Sequence, residues 1–180
     1  MIFLTVGSEL PFDRLVAATD HWCEARQRHD VFGQIADPGA DGYRPANFQW
    51  SPFLSPQDYE QRCKEADLII GHAGMGSIIT AMTYMKPIVI MPRRLANKET
   101  RNDHQVATAE RLGVRNGVFV ARDEFELPIV LDAALSDDVA HKRQEPLGPY
   151  AEPSLIAAIR SFALLTDRVG IRRSLLRVID

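Results

Sequence analysis

Short apolar runs alternating with helix-period patterns leave this chain little choice of architecture. The runs are Ile2–Val6, Asp30–Ala36, Asn47–Phe53, Leu68–Gly71, Pro87–Met91 and Val118–Ala121. Pro87–Met91 is almost unbroken in its apolar character, as a strand covered on both faces of a parallel sheet is. Between the runs, apolar residues recur at helical spacing: Phe12, Leu15, Val16, Trp22 and Cys23, then Tyr59, Cys63 and Ala66, then Ile78, Met82 and Met85. Ser55 caps the second helix, with Pro56 at its first position, and Lys86-Pro87 ends the third. A polar loop over Arg93–Asn102 precedes a helix from about Asp103 to Leu112, and Asp123 or Glu124 opens another through Leu135. Such βα repeats predict an α/β fold, a Rossmann-like open parallel sheet of about six strands with helices on both faces. In the doubly wound order 3-2-1-4-5-6, the first and fourth strands are neighbours and the chain reverses between them. The corners at Gly7-Ser8 and His72–Ser77 then face each other across the ligand crevice.

Composition narrows the classes of function. Of 180 residues, 46% are hydrophobic and 25% charged, an ordinary globular balance, and the net charge of −3 gives no global attraction to nucleic acid. No segment reaches the roughly 20 apolar residues that span a bilayer, and the apolar start lacks a basic leader and a cleavage site. A cytoplasmic protein is expected. Cys23 and Cys63 fall on apolar helix faces, which predicts two buried thiols rather than a disulfide or metal pair. After Ser136 the pattern fails until Pro153. Residues 154–164 then place Leu155, Ile156, Ile159, Phe162 and Ala163 on one face of a docking helix. The expected organisation is one domain over residues 1–164, followed by an amphipathic tail, 165–180, with Ile171, Leu175, Val178 and Ile179 on one side. That tail fits docking to a partner as well as packing onto its own domain.

The stretch from Ala66 to Ile79 carries the chemistry. An apolar strand breaks at His72-Ala73-Gly74-Met75-Gly76-Ser77 and resumes as a helix, whose first N–H groups and positive dipole end suit a phosphate. Glycines at such a corner also serve simple close packing of helix against strand. The dinucleotide fingerprint fails, because Ile79 holds the third glycine position and Arg93 and Arg94 stand where an acidic residue belongs. No P-loop and no G-x-S-x-G elbow is present, nor any metal-ligand spacing. His72, Asn102, Asp103 and Gln105 read equally as local caps and hydrogen-bonding groups. Arg93 and Arg101 read as loop residues or as partners of a phosphate or acidic sugar.

His72–Ser77, followed by Lys86–Arg93 and by Asn102-Asp103-His104-Gln105, resembles the donor-binding half of the MurG-type glycosyltransferases, glycosyltransferase family 28. Leu4–Ser8 with Pro11-Phe12-Asp13 is similar to its stand-alone members, the small subunits of split enzymes of exopolysaccharide and lipid-linked oligosaccharide synthesis. The likeness covers roughly residues 1–135. It implies the C-terminal half of a GT-B fold and a UDP-sugar as donor substrate, with no cofactor and no metal. Gly74, Met75, Gly76 and Ser77 would hold the diphosphate, with His72 beside it and Gly7 and Ser8 opposite. Phe53 and Leu54 would pair with uracil, and Asn102, Asp103, His104 and Gln105 would reach the sugar, with Arg93 near them. The family usually has Glu where Thr80 stands, so the ribose contact is expected to be weaker.

The resemblance also implies what is missing. An inverting transferase of this type works between two domains, so a membrane-anchored partner subunit would bring the lipid-linked or polysaccharide acceptor and the general base. His72 is the candidate for a catalytic role on this chain. The partner would recruit the chain to the inner face of the membrane. A non-catalytic nucleotide-sugar-binding module and a UDP-sugar epimerase-like enzyme are the alternatives.

Overall fold

The alternation of apolar runs and helical patterns folds as β1 (Ile2–Thr5), α1 (Asp13–Arg26), β2 (Val31–Gln34), β3 (Gln49–Ser51), α2 (Pro56–Glu65), β4 (Leu68–His72), α3 (Met75–Thr83), β5 (Ile88–Met91), α4 (His104–Leu112), β6 (Val118–Val120) and α5 (Leu127–Ala134). The structure is a computed structural model and describes residues 1–8, 10–113, 115–136 and Ala157. These elements all belong to one unit, Met1–Pro146. Ala157 is helical and exposed; the rest of the predicted docking helix and the whole tail lie outside the described residues.

The strands form a single sheet in the order β3-β2-β1-β4-β5-β6, and every pair is parallel. This is the doubly wound order expected from the sequence. Burial on both sides explains the near-continuous apolar runs, since successive side chains point to opposite faces. Ile2 and Leu4 of β1, Leu68 and Ile70 of β4, and Val89 and Met91 of β5 pack in one cluster with Leu15, Trp22 and Leu131 of α1 and α5. Phe3, Ile69, Ile88 and Ile90 pack on the other face with Cys63, Ile78 and Ala109 of α2, α3 and α4. Each large side chain so buried contributes roughly 1.5–3 kcal/mol relative to exposure. Both cysteines are buried and free, and Ser55 caps α2 as its sequence predicts, its hydroxyl accepting the Asp58 N–H at 3.1 Å.

Three details differ from the sequence reading. Met85 is 56% exposed rather than core. Helix α3 ends at Thr83, and Met85 takes a left-handed φ of 53° where the chain turns toward β5, so the helical spacing no longer applies to it. The helix predicted to open at Asp123 or Glu124 starts later, at Leu127, because the Asp123 carboxylate first accepts the N–H groups of Phe125 and Glu126 in a turn. The loop expected over Arg93–Asn102 contains a 3₁₀ turn at Leu95–Asn97.

The long connection between β2 and β3 hangs on one buried carboxylate. Asp20 of α1 accepts hydrogen bonds from the Tyr43 hydroxyl at 2.8 Å and from the N–H groups of Ala46 and Asn47 at 3.2 and 2.8 Å. Removing it leaves those donors without an acceptor. Asp20→Ala is therefore expected to cost about 3 kcal/mol, read as a fall of roughly 6–12 °C in melting temperature by calorimetry.

Candidate functional site

Register brings the glycine-marked corners together. Thr5 lies opposite Gly71 and His72 opposite Met91, so β1, β4 and β5 end level with one another. From there the chain leaves β1 toward one side of the sheet and β4 toward the other. The loops diverge around a cleft of about 1180 Å³. Every site residue expected from the sequence lines it except Asp103: Gly7, Ser8, Phe53, Leu54, His72, Gly74, Met75, Gly76, Ser77, Thr80, Arg93, Asn102, His104 and Gln105 all do.

The imidazole of His72 occupies the middle of this arrangement. A Cβ on Gly74 would lie 2.2 Å from its Nε2, and a Cβ on Gly7 would lie 2.9 Å from its Cε1. Both glycines therefore make room for one ring, and Gly7 also needs its φ of 83°. Burial first, and the Arg93 guanidinium next, push the His72 pKa down to about 4. At neutral pH the ring is uncharged. Its Nδ1 is buried and makes no hydrogen bond of ordinary geometry among the described residues, while the nearby Thr5 backbone opposes part of the downward shift.

Gly76 has a different reason to be glycine. A Cβ there would meet nothing within 4 Å, so the fold leaves its space open. It sits in the first turn of α3, whose cap Gly74 offers no side chain and which carries no acidic residue. The first-turn N–H groups have no acceptor within the helix, and the dipole places its positive end at the cleft. Ser77 beneath is buried next to the Tyr59 hydroxyl, whose pKa burial raises to about 12. One turn further in, Thr80 donates its hydroxyl to the Gly76 carbonyl at 2.8 Å.

The opposite wall is braced from behind. Arg93 is 5% exposed, lies over the Phe12 ring and donates to the carbonyls of Val6, Leu10 and Pro11. It therefore ties the loop after β5 to the corner after β1. The Arg93 N–H donates to Gln105 Oε1 at 3.1 Å, which leaves the Gln105 amide NH2 as donor to the cleft. Arg14 of α1 grips both oxygens of Glu99 at 2.8 Å and also Glu124 at 2.8 Å, fixing the segment that carries Arg101 and Asn102. Asp103 faces away from the cleft's work: its Oδ1 accepts the Leu95 N–H and closes the 3₁₀ turn. Asn102 Oδ1 accepts the His104 N–H at the start of α4.

Sequence reasoning missed Gln34, whose amide donates to the Gly7 and Pro52 carbonyls, together with Tyr59, Glu99 and Thr100. Gln34 was discoverable, being a polar residue closing a buried strand at the end of the sheet where the crevice opens. Glu99 carries no such signal, since its partner Arg14 is distant in sequence.

A family model described as the glycosyltransferase family 28 C-terminal domain matches residues 1–154. The chain belongs to glycosyltransferase family 28. A human relative, UDP-N-acetylglucosamine transferase subunit ALG13, is 30% identical over 126 residues, covering 66% of this chain and 11% of that protein. The chain thus spans about a tenth of that relative's length. An NMR solution structure of ALG13 superposes with a TM-score of 0.54 at 18% identity, covering 88% of this chain and 93% of that one. A crystal structure of MurG from Acinetobacter baumannii gives a TM-score of 0.53 at 19% identity, over 88% of this chain and 49% of that one. These likenesses show a shared Rossmann-like fold. Among the described residues, no helix is long and apolar enough to cross a membrane, and no group of His, Cys, Asp and Glu is placed to hold a metal ion.

Two outcomes follow from the position of the His72 ring. Gly74 has φ −90° and ψ 138°, which alanine accepts, so only the ring opposes a methyl there. Gly74→Ala is expected to cost about 1–3 kcal/mol in the native background and far less when combined with His72→Ala, a coupling that denaturant melts of the four proteins measure. The second concerns pH. Because the folded-state pKa of His72 lies below the unfolded value of about 6.5, its contribution is complete above that value and is lost as pH falls toward about 4. Stability is expected to drop by on the order of 3 kcal/mol across that window, and His72→Gln is expected to flatten the profile.

Proposed function

We propose that this chain is the donor-binding subunit of an inverting glycosyltransferase, which takes a UDP-sugar and works with a separate partner subunit. The observation that carries this reading is the uncapped N-terminus of α3, opening with Gly76 in free space onto the cleft where β1 and β4 diverge. In this reading the diphosphate lies on the N–H groups of Met75, Gly76 and Ser77, with the neutral His72 ring beside it. The uracil lies toward Phe53 and Leu54, and the sugar toward Asn102, His104 and Gln105.

The chemistry suits that placement. An acceptor hydroxyl attacks the sugar C1 from the side opposite the diphosphate, its proton passes to a base, and the C1–O bond breaks to release UDP. Negative charge grows on the leaving diphosphate, and donors held in place before the reaction stabilise it without reorganisation and without a metal. With its pKa lowered to about 4, His72 is a weak base, and in this reading the base and the acceptor site belong to the partner. The human relative's name, which calls it a transferase subunit, supports a divided enzyme. We assign the partner the membrane anchor and the lipid-linked or polysaccharide acceptor.

Isothermal titration with UDP and UDP-sugars tests the donor site. The native chain is expected to bind UDP, and Gly76→Asp, which adds an anion to the first turn of α3 at a position where a Cβ has open space, is expected to weaken binding at least tenfold, about 1.4 kcal/mol. No binding by the native chain, or equal binding by both, overturns the reading. Transferase activity that appears only when the partner is added tests the division of labour.

A further inference from the structure

One guanidinium ties α1 to the loops after β5 and β6. Arg14 stands in the first turn of α1, and each of the five N–H donors of its fork is engaged. Its Nε–H and one Nη2–H grip the two oxygens of Glu99, each at 2.8 Å. The other Nη2–H goes to the Pro92 carbonyl at 3.0 Å, and the Nη1 pair goes to the Glu124 carboxylate at 2.8 Å and the Met91 sulfur at 3.9 Å. The guanidinium also lies over the Phe12 ring, 5.3 Å from its centre. The side chains of Arg14 and Glu99 are both 13% exposed.

The grip on Glu99 reaches the ligand side. Glu99 lines the cleft, as do Thr100, Arg101 and Asn102 after it, and α4 then opens with His104 and Gln105. Glu99 also accepts the Arg94 N–H at 2.8 Å, so its carboxylate holds the start of this loop together with the stretch that faces the cleft. Arg14 itself is not one of the described residues lining the cleft, and its influence there passes through Glu99. The proposed diphosphate end is carried by other elements, β4 and α3. We propose that Arg14 is the positioning residue of the sugar end: by fixing Glu99 it sets the Thr100–Asn102 stretch and the start of α4, and so governs which sugars the cleft accepts. This rests on the donor-site reading above and extends it to selection among donors.

Arginine and lysine differ here in geometry more than in charge. A guanidinium fork holds both oxygens of a carboxylate at once, whereas an ammonium is a single point charge on a flexible stem. Binding groups have to be held to within about 0.5 Å to keep their selectivity. Arg14→Lys therefore keeps the charge and loses the position.

Isothermal titration of the full chain with UDP, UDP-glucose, UDP-N-acetylglucosamine and UDP-glucuronate, repeated on Arg14→Lys, separates the two. The native chain is expected to bind UDP and to spread the UDP-sugars over about tenfold or more in dissociation constant. Arg14→Lys is expected to keep UDP affinity within about threefold while narrowing that spread by about threefold or more. A native spread below that tenfold overturns the inference and leaves the donor site intact. So does a spread that Arg14→Lys leaves unnarrowed, whether or not UDP affinity falls, because a structural role weakens all four ligands alike. Should Arg14→Lys bind no UDP, Glu99→Asp, which keeps both charges and shortens the reach by one methylene, is read by the same measure, and loss of UDP binding in both variants overturns the inference. Failure of the native chain to bind UDP overturns the donor-site reading itself, and the inference with it.

Discussion

One imidazole wedged between two glycines sets the geometry of this molecule's working end. The His72 ring lies against Gly7 and Gly74, so the corner after β1 and the corner after β4 stand at the separation one aromatic ring dictates. Main-chain bonds reach the start of each corner, from the Val6 N–H to the Gln34 carbonyl and from the Ala73 N–H to the Met91 carbonyl. Arg93, reaching to the carbonyls of Val6, Leu10 and Pro11, and Gln34, reaching to those of Gly7 and Pro52, complete the clamp on the first corner. These polar groups serve the backbone, and the first turn of α3 is left uncapped at the cleft.

That division separates two roles that glycine plays in similar motifs. Gly74 is required by a neighbouring side chain, whereas Gly76 is required by nothing in the fold. From sequence alone the two were indistinguishable, and packing and anion binding stood as rivals for the whole motif. In the structure, packing against the His72 ring accounts for Gly74 but not for Gly76, where the proposed anion contact is the reason that is left. The low pKa of His72 belongs to the same arrangement, since a ring buried deeply enough to join two corners has lost the water that would stabilise its charge.

Much of the fold was legible because the sheet is covered on both faces. Continuous apolar runs at Ile2–Thr5, Leu68–His72 and Ile88–Met91 leave no ambiguity about which strands are central, and the strand order follows from parallel connections. The glycine corner and its companion at Asn102–Gln105 were legible because local chemistry marks them. What escaped was long-range. The commitment of Arg93 to three carbonyls, of Glu99 to Arg14 and of Asp103 to Leu95 depends on which loops meet above the sheet. Met85 escaped for the opposite reason: helical spacing was continued past a left-handed turn that ends it.

The outer strands have a consequence for how such a chain behaves in company. β3 and β6, which bound the described sheet, contain three residues each, against four or five in the strands between them. A sheet margin that short offers few unpaired main-chain groups as a template for a stranger's strand. Among the described residues, the sheet is thus guarded against edge-to-edge pairing by the brevity of its margins, which favours loops and helices over strand edges for contact with another polypeptide.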